Sequence, residues 1–260
     1  MRLPDFAASD ATRRFNVDLY LEHLEEAAFL YEQRRGLYDD PEVTWLGIGQ
    51  FEERLEAHID ALVGRDGAAL EICQRQAEEG GPGELYTAVC VFCRGGRRDV
   101  LGAVLKHLDP DNAERSLAVS DALKDEMPAE WGEALAAILA RGYDKLIPMV
   151  AQYMGHRRLA AGGALDKLIM DRMPAKGLAQ LLWAWGRVGE VGVSPHVAGY
   201  VGHEEAEVRT HAVMALLRRG DDRALAVCRQ RAARGDAAMY LPLAVGGRQS
   251  DAASRTARRS

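Results

Sequence analysis

Apolar residues recur at three- and four-residue steps along most of the chain, which is the spacing of amphipathic helices. In residues 204–220, one such face carries Val208, Ala212, Ala215 and Leu216. Near the N-terminus, a stripe that includes Tyr20, Leu24 and Tyr31 predicts a helix from an Asn16 N-cap to about Arg35. Similar patterns predict helices over about 50–63 and 67–79. We therefore expect a succession of helices from the N-terminus onward.

The composition supports a helical fold. Among the 260 residues, Ala and Leu occur 41 and 30 times, whereas the β-branched residues Ile, Val and Thr occur 6, 18 and 5 times. A hydrophobic fraction of 48% with 28% charged residues predicts a globular chain, and the apolar runs are too short for a membrane span. We expect an all-α protein that does not enter the membrane.

Prolines and glycines mark an internal repeat with a period of 46–47 residues. Two proline series and one glycine series recur at this period: Pro82, Pro128 and Pro174; Pro148, Pro195 and Pro242; Gly96, Gly142, Gly189 and Gly235. The pattern predicts three helices per unit, for example over 128–140, 144–154 and 158–172, with a glycine turn after the first. Stacked units would form an α-solenoid over residues 81–246, between an N-terminal helical cap (13–80) and a disordered basic tail (247–260).

Two segments resemble HEAT repeats of the short bacterial type. One carries Val208-Arg209, Ala212, Ala215-Leu216, Gly220, Asp222 and Leu225, and the other is Ile147-Pro148-Met149-Val150. This resemblance implies a HEAT-like/armadillo-like α-solenoid, a fold mostly used as a binding scaffold.

Three further strings lie at residues 23–34 (HLEEAAFLYEQR), 54–62 (RLEAHIDAL) and 82–89 (PGELYTAV). They resemble an uncharacterised proteobacterial family often encoded near type VI secretion genes. That resemblance implies an immunity or accessory protein whose partner is a secreted effector or toxin, and it assigns no catalytic residue.

Candidate chemistry is sparse in the sequence. Cys90 and Cys93 form a C-x-x-C on the apolar face of a predicted helix, where buried thiols are more usual than metal ligands. His23 and His58 each lie among carboxylates, but neither shows a metal-binding spacing, and solvated helix faces explain both. No nucleophile elbow or phosphate loop is present. We expect no catalytic residue, no cofactor and no metal, and therefore a protein that is not an enzyme.

Charge divides unevenly along the chain. Residues 1–150 hold 16 Lys and Arg against 29 Asp and Glu, whereas residues 151–260 hold 17 against 10, which gives net charges of −13 and +7. The split indicates either surfaces for different partners or a solvated surface without one.

Aromatic and basic residues of the later repeats are the candidate partner-binding set, because Trp and Arg are enriched at binding hot spots. Trp183 and Trp185 diverge by about 200° on a helix, so at least one should be partly exposed. The candidates are Trp131, Tyr153, His156, Arg157, Arg158, Trp183, Trp185, Arg187, Arg209 and His211, with Tyr200 beside them.

Two functional interpretations follow from these features. The first is a non-catalytic protein-binding scaffold, which covers a partner's active surface. The second is a nucleic-acid-binding protein, because some HEAT-like solenoids resemble DNA glycosylases, and the basic C-terminal half suits phosphate whereas the acidic N-terminal half opposes it. The N-terminal residues MRLPDFAASD lack the apolar core of a secretion signal, and the four cysteines show no disulfide framework, so we expect a cytoplasmic protein.

Overall fold

The computed structural model describes residues 10–38, 40–65, 67–109, 111–134, 137, 146–160, 163–171, 175–188 and 195–246. Within these ranges every regular element is a helix, which confirms the all-α prediction. None of these helices combines the length and apolarity that crossing a bilayer requires. Contacts divide the chain into two compact units, the N-terminal unit ending at Ala129 and the C-terminal unit beginning at Glu130.

Six helices form the N-terminal unit. In chain order they are α1 (Asp10–Tyr38), α2 (Trp45–Leu62), α3 (Gly67–Glu79), α4 (Pro82–Arg94), α5 (Arg98–His107) and α6 (Ala113–Glu126). Side-chain caps fix two of the starts, because Thr44 accepts a hydrogen bond from the Gly47 amide and Asn112 accepts one from the Arg115 amide.

Helix α4 is the core of the N-terminal unit. Every residue from Leu85 to Cys93 is buried, and α4 packs against α1, α3 and α6. Gly83 permits the closest of these contacts, since a Cβ atom at this position would lie 2.7 Å from the carbonyl oxygen of Ala28 in α1. A helix that is apolar on all sides is stable only when neighbours cover it completely, as they do here.

The described residues of the C-terminal unit form several helices and short 3₁₀ turns. The helices are α7 (Ile147–Arg157), α8 (Ala164–Met170), α9 (Ala175–Trp185), α10 (Pro195–Gly199), α11 (Ala206–Arg218) and α12 (Asp222–Ala233). The 3₁₀ turns are Ala129–Trp131, Tyr200–Gly202 and Ala237–Met239, and a further helical segment covers 240–246. Asp221 caps α12 by accepting from the Arg223 amide.

Helix α9 is central in the C-terminal unit and lies between α7 and α11. Two glycines allow the close approach. A Cβ at Gly155, near the C-terminus of α7, would lie 2.8 Å from the Cα of Ala184, and one at Gly186, just after α9, would lie 2.6 Å from the Cα of Ala215 in α11. The C-terminal ends of α7, α9 and α11 therefore meet at one edge of this unit.

Several of the prolines and glycines that were predicted to lie at helix ends do so in the described part of the chain. Pro82 and Pro195 are first residues of helices and Pro148 is a second residue. Gly96 and Gly235 follow helices with φ values of 68° and 86°, a backbone region that favours glycine. Three helices occupy each of the stretches 82–126 and 175–218. Pro174, Gly142, Gly189 and the tail 247–260 lie outside the described residues.

Several predicted boundaries were wrong. Helix α1 begins at Asp10, so Asn16 lies inside it, because no residue between them interrupts a helix. Helix α2 begins five residues before the predicted start at 50. The helix predicted over 158–172 is shorter, because Arg158 adopts a left-handed conformation (φ 55°) that ends α7, and α8 begins only at Ala164.

The predicted domain boundary between residues 80 and 81 falls inside the N-terminal unit. Helix α4, predicted to open the repeats, packs against α1 and α3 of the predicted cap. Cap and first predicted repeat thus share one hydrophobic core.

Candidate functional site

Three arginines lie at the edge where the C-terminal ends of α7, α9 and α11 meet. Arg158 caps α7, Arg187 follows α9 by two residues, and Arg218 is the last residue of α11. We call Arg158, Arg187 and Arg218 the arginine edge. Basic residues favour helix C-termini, where the backbone carbonyls carry partial negative charge, so local sequence preference accounts for each position separately.

Arg187 stacks on Trp183. Its guanidinium carbon lies 4.2 Å from the centre of the indole ring, a cation–π distance. Trp183 is half-buried, and the position of a Cβ on Gly155 would be 2.5 Å from the indole Cζ3, so the ring also lies against α7. The indole therefore holds Arg187 in place at the arginine edge. Its partial exposure also confirms the prediction that one residue of the Trp183/Trp185 pair reaches the surface.

Like charges face one another along the arginine edge. Burial and the charges of Arg218 and Arg158 lower the pKa of Arg187, and burial and the charge of Arg158 lower the pKa of Arg218. In the described part of the chain, no carboxylate forms an ion pair with any of the three. The Nε atom of Arg187 is buried and has no hydrogen-bond partner among those residues. Among the described residues, no ion pair with a carboxylate compensates the positive charge of the arginine edge.

Three candidate partner-binding residues are in the core instead. Trp131, Tyr153 and Trp185 are 9%, 0% and 5% exposed, because they fill the space between packed helices. The Nε1 of Trp185 donates to Asp166 at 3.0 Å, and the Arg219 guanidinium stacks on its ring. These three side chains cannot contact a partner at the surface, and the prediction for them was wrong.

Arg209 and His211 of α11 also have partners within the chain. Arg209 forms an ion pair with Asp236 at 3.2 Å and donates to the carbonyl oxygen of His203, which ties α11 to the chain on either side of it. His211 lies 3.8 Å from Glu207, and burial lowers its pKa. Of the remaining candidates, His156 and Arg157 are exposed in the last turn of α7, next to the arginine edge.

His23 and His58 form a pair that their separate sequence contexts did not indicate. Their Nδ1 atoms are 3.0 Å apart and join α1 to α2. Burial and the neighbouring His23 lower the pKa of His58. Among the described residues, no three His, Cys, Asp or Glu side chains are grouped closely enough to hold a metal ion.

Most buried charge in the N-terminal unit is compensated. Arg34 binds Glu52 and Asp125, and Arg94 binds Glu56, Asp60 and Glu126. These networks join α1, α2, α4 and α6, so their arginines are structural. The arginine edge differs from these networks. The N-terminal arginines form ion pairs with carboxylates, whereas the charges of the edge arginines act on one another.

The cysteines are packing residues. Cys73, Cys90, Cys93 and Cys228 are all buried, as the apolar pattern around Cys90 and Cys93 predicted. Burial raises the pKa of Cys73 and Cys93 to about 12, so these thiols stay protonated at neutral pH and are poor nucleophiles.

A cleft of about 700 Å³ lies between α8, α9 and α10. It is lined by Met170, Leu178, His196, Tyr200 and His203, among others. The Tyr200 hydroxyl donates to the Ile169 carbonyl oxygen at 2.8 Å, which commits it to holding the Tyr200–Gly202 turn against α8. Because the Tyr200 hydroxyl already has a partner within the chain, the cleft is a weaker candidate site than the arginine edge.

The sequence prediction included Arg158 and Arg187 but missed Arg218, which completes the arginine edge. A usable signal existed, because all three are arginines at or just beyond a helix C-terminus, 29 and 31 residues apart. This spacing differs from the 46–47-residue period of the prolines, on which the predicted repeat was based. In comparisons with known proteins, no family model, curated protein or solved structure matches this chain.

Proposed function

We propose that this protein is a non-catalytic binding scaffold, built as a HEAT-like α-solenoid, whose C-terminal unit engages another protein. The observation that carries the proposal is the arginine edge with its stacked Trp183. A cluster of arginines that form no ion pair with a described carboxylate, beside a half-buried tryptophan, has the composition of a protein-binding hot spot. The action would be steric, since binding covers a surface of the partner and no bond is made or broken.

The close helix contacts in the C-terminal unit support a presenting role. Gly155 and Gly186 let α7, α9 and α11 pack closely, with Trp183 and Ala184 against Gly155 and Ala215 against Gly186, so the residues near their C-terminal ends lie on tightly packed helices. Rigid presentation lowers the entropy lost when a partner binds. The cytoplasm is the proposed location, and a type VI secretion effector or toxin, as the family resemblance implies, is the first partner to test.

The test is capture of a partner from the native cell by the full chain, followed by hydrogen-exchange mass spectrometry of the reconstituted complex. We expect a stoichiometric complex in which residues 153–158 and 183–188 gain protection from exchange. Recovery of the chain alone, or protection confined to the N-terminal unit, would contradict the proposal.

The arginine edge also favours a second candidate function, binding to nucleic acid. Its three positive charges suit phosphate, although the −13 charge of residues 1–150 repels a polyanion. Filter binding of a DNA duplex at about 50 and about 200 mM salt discriminates between the two functions. Tight retention at the lower salt that falls by about 40-fold at the higher, the loss that about three phosphate contacts predict, would support nucleic acid over protein.

A further inference from the structure

We propose that the arginine edge is an anion-recognition site that takes the carboxylates of an acidic protein segment. This inference rests on the proposed function and names the chemistry of the partner. It starts from the edge where the C-terminal ends of α7, α9 and α11 meet, which holds Arg158, Arg187 and Arg218 and where no described carboxylate forms an ion pair with them.

Like charges placed close together reduce the stability of the folded state. Arg187 is half-buried, and burial together with the charges of Arg218 and Arg158 lowers its pKa, whereas Arg158 and Arg218 themselves are exposed. Elsewhere in the same unit the chain provides carboxylates, as Asp236 does for Arg209 and Asp221 for Arg223. Groups that reduce stability where they stand are typical of binding sites, because the missing compensation comes from the ligand.

The geometry of Arg187 suits a carboxylate. The guanidinium carbon of Arg187 lies 4.2 Å from the centre of the Trp183 ring, and a guanidinium carries its N–H donors in a planar fork. These donors match the two oxygens of a carboxylate, and the bidentate pair is stronger than a neutral hydrogen bond. Arg158 and Arg218 supply further positive charge, so a segment with several Asp or Glu residues fits better than a single acid.

A nucleic acid fits the same site less well. Arg187 covers one face of the Trp183 indole, and α7 lies against the ring at Gly155, so the ring is a poor platform for stacking a base. Three arginines also supply fewer charges than the roughly 6–10 phosphate contacts of a typical nucleic-acid-binding protein. The acidic segment is therefore the occupant that the arginine edge favours.

The experiment measures fluorescence anisotropy of a labelled octaglutamate peptide with the full chain at low and physiological salt. The test variant is R187Q/R218Q. The matched control is R229Q/R234Q, which removes the same charge from two exposed positions in and after α12 of the same unit. We expect the test variant to weaken binding at least about tenfold and the control pair by less than about twofold.

Two further readouts separate recognition from a structural role. R187K keeps the charge and loses the planar fork, so we expect an intermediate loss of peptide affinity. The melting temperature of R187Q/R218Q should change by no more than about 4 °C, because the repulsion that is removed offsets the lost interactions with the Trp183 ring and the helix C-termini. A larger fall in melting temperature would show that these arginines serve to stabilise helix C-termini, and would overturn the inference.

The inference also fails if both pairs of substitutions weaken peptide binding equally, or if an octathymidylate DNA strand binds more tightly than the octaglutamate peptide at the same salt concentration. These failures are distinguishable from failure of the proposed function. A partner captured equally well by wild type and R187Q/R218Q leaves the binding scaffold intact and removes only the acidic-segment site, whereas absence of any stoichiometric partner contradicts the scaffold itself.

Discussion

Arg34 shows how a single buried charge organises the N-terminal unit. Its side chain is 8% exposed and donates to Glu52, to Asp125 at 3.0 Å and to the Tyr86 hydroxyl at 3.1 Å. The Tyr86 hydroxyl in turn donates to Asp125 at 2.8 Å, and its ring stacks on Tyr31 at 3.9 Å. Every residue of the network has at least one partner, which is why these buried polar groups are tolerated, although the Nε of Arg34 has none among the described residues.

Replacing Arg34 should therefore destabilise the protein strongly. We expect R34L to lower the free energy of unfolding by about 2–3 kcal/mol, less than for a fully buried pair because Glu52 and Asp125 are about one-third exposed. R13L, at an exposed position of the same helix, should change it by less than about 0.5 kcal/mol. Urea titration followed by circular dichroism measures both, and equal effects would show that the network contributes nothing specific.

The His23/His58 pair gives the N-terminal unit a pH dependence. The pKa of His58 is lower in the folded state than its ordinary value of 6.5, so the folded state binds fewer protons than the unfolded state as the pH falls below that value. Stability is therefore lost on acidification from about pH 7 toward about pH 5. Glu26 and Glu22 oppose this loss, and Arg54 adds to it.

We expect H58Q to reduce the fall in melting temperature between about pH 7.5 and about pH 5.5. Some dependence should remain, because the pKa of His211 is also lowered by burial. The exposed His107, at the end of α5, provides the control, and H107Q should retain the full dependence of the wild type. Thermal unfolding followed by circular dichroism across this pH range tests the prediction, and an unchanged slope in H58Q would refute it.

At the scale of elements, glycines determine which helices can touch. Gly186 follows α9, and a Cβ there would be 2.6 Å from the Cα and 2.9 Å from the Cβ of Ala215 in α11. Neither atom belongs to a flexible side chain, so the helices themselves would have to separate. The packing of α9 on α11 thus depends on the absence of one methyl group.

We expect G186A to destabilise the protein by about 1–3 kcal/mol, the usual cost of overpacking. G102A, inside α5 where a Cβ would meet nothing within 4 Å, should instead stabilise it by up to about 1 kcal/mol through helix propensity. Urea titration compares the two substitutions. Hydrogen exchange should further show that G186A loosens α9 and α11, and a stabilised G186A would contradict the close contact.

At the scale of the whole molecule, the two compact units do not coincide with the regularly spaced repeats that the sequence predicts. Pro82, Gly96 and Pro195 lie at or just beyond helix ends, as the proline and glycine series predict, because these residues act locally on backbone dihedral angles. The boundary between the two compact units does not follow the proline and glycine series. The buried face of α4 is covered by α1 and α3, so the division falls at Ala129 and not before Pro82.

The candidate site shows the same limit of sequence reasoning. Arg158 and Arg187 were predicted from composition, but Arg218 joins them only through the packing of α7 on α9 and of α9 on α11. Trp131, Tyr153 and Trp185 were predicted as surface residues and are buried, since residue type alone does not say which face of a helix its neighbours cover. His23 and His58 meet across 35 residues for a comparable reason.

What the sequence determined by itself was the local structure: an all-helical chain, the positions of several helix starts and the left-handed glycines after α4 and α12, all set by interactions within a few residues. Only the tertiary structure decided which side chains share a surface. Three arginines far apart in the chain lie together because two glycines let three helices approach, and that depends on contacts between helices that no local pattern encodes.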